Sequence, residues 1–216
     1  EAAGNGAKLV AFHEALIGGY PKGASLGAPI GMRKPEGREA FARYHAAAID
    51  LDGPEVACLA EACAETGVFA VVGVIERDKA TLYCTVLYFD GAKGLVGKHR
   101  KLMPTAAERL IWGCGDGSTM PVLETPLGRL GAAICWENYM PLFRTAMYGR
   151  GVTLWCAPTV DDRDVWTATM THVALEGRCF VLSANQYLIR AQLPDDLTPV
   201  QGNDPDTVLI SGGSVI

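Results

Sequence analysis

No stretch of the 216 residues approaches the roughly 20 consecutive apolar positions that a membrane-crossing helix needs. No CxxC pair occurs, so zinc has no obvious seat, and the seven cysteines follow no disulfide framework. Scattered thiols of this kind point to a reducing compartment. An excess of basic residues is missing as well: 19 Lys and Arg against 24 Asp and Glu give a net charge of -5, the wrong sign for a nucleic-acid face. The opening EAAGNGAKLV has neither the charged start nor the long apolar middle of a secretory leader. A cytoplasmic protein with no membrane or nucleic-acid partner is therefore expected. Repeats, low-complexity tracts and linkers are absent, which leaves a single domain over residues 1–216. The chain starts on Glu1 and stops on the strand-like VLISGGSVI, so that domain reads as a fragment, truncated at both ends.

What is present is a set of short runs rich in Val, Ile, Phe and Tyr. They predict strands over residues 7–12, 68–76, 82–90, 129–135, 152–158, 179–185 and 206–213. Small and apolar residues at helical spacing predict helices over 36–50, 53–67 and 165–178. The polar ERDKAT between two strand runs marks a hairpin, so the class is α/β with mixed strand directions. Residues 190–206 are acidic, proline-bearing and aperiodic, and read as a long surface loop.

Three strand ends carry three different chemistries. Cys135 closes the run LGAAIC, and ENYMPLFRTAMYGRG after it has Pro141 early and Gly149 and Gly151 late, as a helix does. Such a cysteine is either a small core hydrophobe or a reagent. Near a helix N-terminus its pKa can fall below the reference of about 8.5. Cys156 ends a similar run but leads into Ala-Pro; Cys58, Cys63, Cys84 and Cys179 read as helix-face or core residues, and Cys114 lies in a loop. Glu14 follows KLVAFH, and Lys101 follows GLVGKHR. A glutamate there is ordinarily solvated or capping, and a lysine among basic neighbours is ordinarily on a wet face. In open sheets, however, sites gather at strand ends.

FHEALIGGYPKG, GKHRKLMPTAAER and GAAICWENYMP, in this order, resemble the Glu, Lys and Cys motifs of the nitrilase branch of the carbon–nitrogen hydrolase superfamily, and WTATMTHVALEGRCFVLSANQ resembles the stretch that follows them there. CWEN in particular is similar to nitrilases, whereas superfamily amidases more often place Tyr and Asp after the cysteine. The resemblance spans about Gly6 to Ile216. It implies a four-layer α-β-β-α sandwich that dimerises and extends into larger spirals. It also implies Cys135 as nucleophile, Glu14 as general base, Lys101 as the cation facing developing charge, and Glu108 as a second carboxylate near the lysine. On local sequence alone, Glu108 reads as a helix-surface glutamate. Trp136 is implied to line the pocket, although a tryptophan there can equally be packing. His99, His172 and Glu176 read as a polar strand edge, a helix face and a helix-cap region. Two departures from the motifs are His13 in place of a proline and Cys114 in place of Gln or Glu.

The activity implied is hydrolysis of a nitrile to the acid and ammonia through a covalent cysteine intermediate, with no metal or organic cofactor. An amidase or cyanide-converting hydrolase on the same scaffold, and a non-catalytic assembly subunit, are the alternatives.

Overall fold

The computed structural model describes residues 1–28 and 31–216. Two four-stranded sheets form its centre. The first contains β1 (Leu9–Ala11), β2 (Phe69–Asp78), β3 (Thr81–Asp90) and β4 (Gly94–Arg100), in that order; β1 is parallel to β2 and the rest is antiparallel. The second contains β5 (Leu123–Thr125), β6 (Gly128–Ala132), β7 (Leu154–Thr159) and β8 (Phe180–Asn185), with β6, β7 and β8 parallel and β5 antiparallel at its edge. The expected hairpin joins β2 to β3, and its turn is confined to Lys79 and Ala80.

Alternation along each strand divides the core into layers. On β2, Val71 and Ile75 point between the sheets with Cys84, Val86 and Tyr88 of β3 and Leu130 and Ala132 of β6, while Ala70, Val72 and Val74 face outward. Helix α2 (Pro54–Thr66) covers that outer face through Val56 and Cys63. On β7, Cys156 points between the sheets, whereas Trp155 and Ala157 meet α3 (Pro141–Gly149) and α4 (Asp164–Gly177) on the far side. The result is the α-β-β-α sandwich that the motifs imply. Helix α1 (Pro35–Ala47) packs Phe41 and Tyr44 against the rim of the inter-sheet layer.

The helices begin where Pro35, Pro54 and Pro141 preset the first turn, since proline needs no intrahelical acceptor at that position. Helix α2 stops at Gly67, whose φ of 68° closes it in the left-handed region. None of the described helices is long and apolar enough to cross a membrane.

The expected strand near the C-terminus is β10 (Val208–Ser211). It pairs with the three-residue β9 (Tyr187–Ile189) as a separate ribbon and not within either main sheet. Residues 190–206 are less free than their composition suggests. The buried Arg190 guanidinium donates to Asn203 and to the carbonyls of Leu193 and Asp195, folding the segment about one side chain.

Candidate active site

Glu14 lies three residues beyond β1, in a segment that crosses β2 closely. A Cβ at Gly73 would collide with the His13 carbonyl, so glycine there permits the approach. The segment is anchored by Phe12 N–H donating to Val71 and Ile75 N–H donating to Ile17. His13 Nδ1 donates to the Glu14 carbonyl at 2.9 Å, which stiffens the position where a proline is common in the motif. Ala15 then takes a positive φ of 53°.

Lys101 directly follows β4, and its N–H donates to the Cys84 carbonyl across β3. Gly115 N–H in turn donates to the Lys101 carbonyl, and a Cβ at Gly115 would strike the Arg100 carbonyl. Fully buried, the Lys101 ammonium donates to Glu14 Oε1 at 2.7 Å and to Glu108 Oε2 at 2.9 Å. Glu108 therefore stands beside the lysine as the resemblance implies, and its helix-surface reading is corrected. Glu108 lies in a 3-10 turn, Ala106–Leu110. Its Oε2 accepts from the Thr105 N–H at 2.6 Å, and its Oε1 accepts from the Tyr20 hydroxyl at 2.6 Å.

Cys135 opens the 3-10 turn Cys135–Tyr139 just beyond β6, with φ of 49° and 8% of its surface exposed. Its thiol lies in the same packed cluster as Ala15, Cys84 and Trp112 and feels the charges of Glu14, Lys101 and Glu108. Ala15, Ala106 and Cys135 are all non-glycine residues at positive φ. Such backbone is sparsely populated and concentrates where a side chain must be aimed.

The electrostatics correct one expectation. Helix α3 begins six residues past Cys135, too far for its dipole to act on the sulfur, because that influence fades within the first turn. Burial, then the Glu14 charge, instead push the thiol up to about 12, while Lys101 and the Thr159 hydroxyl pull the other way. A thiol held there is neutral near pH 7, and a nucleophilic use of it would require a base to take its proton. Burial, reinforced by repulsion from Glu108, raises Glu14 above its ordinary 4.5 against the pull of Lys101, which suits it to accept a proton. Lys101 is held well above its usual range, chiefly by Glu14 against the opposing effect of burial, and remains a cation. Glu14 Oε2 is buried without any hydrogen-bond partner.

Among the neighbours, Cys84, Tyr20 and His99 were not assigned to the site from the sequence. Cys84, read as a core residue, is buried, yet its Sγ lies 3.4 Å from Glu14 Oε1 as a donor. Inward alternation on β3 was the available signal. Tyr20 follows Glu14 within the quoted motif and packs edge-on against Trp112, with ring centroids 5.8 Å apart. His99, read as a polar strand edge, is fully buried and pairs with Glu137 of CWEN, because β4 lies against the second sheet at this point. Trp136 is 42% exposed and its ring tilts against Tyr139 with centroids 4.7 Å apart, so it stands at the surface one residue after Cys135. A cavity of about 890 Å³ opens beside Glu108, walled in part by Tyr20, Thr105, Ala106 and Ile111. Among the described residues, no group of three or more His, Cys, Asp or Glu is placed to hold a metal ion.

The whole chain, residues 1–216, matches the carbon–nitrogen hydrolase family. It is 67% identical to a nitrilase of Bradyrhizobium diazoefficiens and 60% identical to an aliphatic nitrilase of Sinorhizobium fredii; each match covers all of this chain, and 67% and 70% of those proteins respectively. A carbon–nitrogen hydrolase superfamily protein of Xanthomonas campestris, solved with an arsenic adduct in its active site, superposes with a TM-score of 0.66 at 18% identity, over 96% of this chain and 68% of that one. The chain spans about two thirds of these relatives' lengths. A buried Glu-Lys-Glu cluster beside a strained cysteine, set in this sandwich and supported by these likenesses, leads to one conclusion: the chain belongs to the carbon–nitrogen hydrolase family, in its nitrilase branch.

Proposed function

We propose that the chain converts a nitrile to the carboxylic acid and ammonia through covalent intermediates on Cys135. The observation that carries this reading is the Lys101 ammonium held between two carboxylates next to a neutral thiol, with one oxygen of Glu14 left without a partner. In the first step the Cys135 sulfur bonds to the nitrile carbon and its proton passes to Glu14. A π-bond pair of the nitrile moves onto nitrogen, where Lys101 faces the growing charge, and protonation there gives a thioimidate. Water adds, the carbon–nitrogen bond breaks, and ammonia leaves a thioester. A second water then cleaves the carbon–sulfur bond, which frees the acid and restores the thiol. Two waters are consumed per nitrile, and the reading needs no cofactor because the thiol supplies the covalent chemistry. Glu108 keeps the lysine oriented toward the reacting nitrogen, and Trp136 walls the approach to the sulfur. The names of the two bacterial relatives support nitriles as the substrate class.

Ammonia release from matched nitriles and amides, followed across pH, tests the proposal. Nitriles should turn over faster than their amides, since a thioimidate path starts at a carbon–nitrogen triple bond. Faster amide turnover would make the chain an amidase on this scaffold. The base must be ionised to act, so kcat/KM should rise with pH through a value above 4.5 and be lost as pH falls through it. Glu108→Gln removes a like charge near Glu14 and should move that acid limb to lower pH. A limb that does not move would leave Glu14 without its assigned part.

A further inference from the structure

Glu137 is fully buried and has no part in the steps above. Its carboxylate accepts from three donors on two segments at once. Oε1 takes the Leu102 N–H at 2.7 Å, Oε2 takes the Ile134 N–H at 2.7 Å, and His99 Nε2 donates to both oxygens at 2.9 and 3.0 Å. Leu102 follows Lys101 directly, and Ile134 directly precedes Cys135. Lys101 extends from β4 of the first sheet and Cys135 from β6 of the second, so one carboxylate links the backbone neighbours of both across the seam.

His99 holds that carboxylate in turn. Its Nδ1 bonds the Thr119 carbonyl and its Nε2 bonds a carboxylate; both partners only accept, so the ring carries both protons. Phe143 packs on the ring at 5.5 Å between centroids. Any rotation of Glu137 breaks several charge-assisted bonds together. A buried ion pair is a poor source of stability compared with apolar residues of the same volume, which favours a geometric use for this one.

We propose that Glu137, held by His99, is the positioning residue that fixes the separation between the Lys101 ammonium and the Cys135 sulfur across the two sheets. The proposal rests on the covalent-cysteine reading given above. Glu137→Gln keeps the side chain's shape but turns an amide N–H toward one backbone N–H, so either Leu102 or Ile134 loses its acceptor and its segment shifts. A misplacement of about 1 Å costs about 100-fold, so kcat should fall about 100-fold in this variant, with KM within about threefold of wild type. The rate at which iodoacetamide alkylates Cys135 should depart from wild type in parallel, because the sulfur no longer keeps its set position relative to the Glu14 and Lys101 charges.

Both rates are measured per folded molecule, well below each variant's Tm. Glu137→Asp keeps the charge and the His99 partner but withdraws the carboxylate by one methylene. It should fall between Gln and wild type, and it carries the test if the Gln variant does not fold. Variants with a lower Tm but wild-type kcat and wild-type alkylation rate would overturn the proposal, since the pair would then hold only the fold. If the wild-type protein releases no ammonia from nitriles, the nitrile reading fails alone, and the alkylation rates still decide whether Glu137 positions the sulfur.

Discussion

Cys135→Ala is expected to lower kcat for nitrile hydrolysis on the order of 10⁶-fold, the scale seen when a covalent nucleophile is removed, and so below detection in an ammonia-release assay. No other described thiol is placed to replace it. Cys156 is sealed between the sheets and burial pushes its thiol up to about 12, with no charged group acting on it. Cys84 is buried and already donates to Glu14, so it is placed to hold the base and not to meet a substrate. Alanine meets the same positive φ as cysteine at this turn, so the substitution adds no new backbone strain. The expected pair of results is therefore a melting curve close to wild type and no turnover. A variant that still makes acid at the wild-type rate would remove the sulfur from the mechanism.

Lys101→Met should damage fold and activity together, for separable reasons. Methionine nearly fills the volume but leaves the buried Glu14 and the partly buried Glu108 with no cation between them. Deleting one partner of a buried ion pair destabilises by about 3–5 kcal/mol, because the remaining charge is uncompensated. Here that cost is reduced by protonation, since Glu14 is already held above the ordinary carboxylate range. Loss of a donor aimed at developing charge costs about 10²–10³ in kcat. Thermal melts at two pH values separate the contributions. Acidification should restore part of the lost stability by neutralising the carboxylates, without restoring turnover. Wild-type turnover per folded molecule, measured near neutral pH and well below the variant's Tm, would show that the lysine serves only to hold the site closed.

The parts of this molecule legible in the sequence are those set by local chemistry. Helices α1, α2 and α4 begin and end within a few residues of their predicted bounds, because Pro35, Pro54 and Gly67 act on their own turns. Glu14, Lys101 and Cys135 stood out as different chemistries at strand ends, and the motif resemblance joined them. What the sequence left hidden depends on pairing across the sheets. Cys84 reaches Glu14 only because β2 and β3 register as they do, and one run of apolar residues looks alike whichever face it buries. The three-residue β5 and β9 are too short for any periodicity to show. His99 looked like a wet edge because its partner, Glu137, is 38 residues away in the turn that follows β6. The direction of the thiol's pKa followed the same logic: a strand-to-helix cysteine suggested a lowered value, whereas burial beside two carboxylates raises it.

Rapid mixing of the protein with a nitrile it turns over, acid quench, and mass spectrometry of the digested chain examine the covalent step itself. The peptide bearing Cys135 should gain the mass of the nitrile or of its acyl group during turnover, and Glu14→Gln should accumulate that adduct far more slowly. Ammonia released while Cys135 remains unmodified, or an adduct that forms at the normal rate without the Glu14 carboxylate, would contradict the convergence of these groups on one reacting carbon.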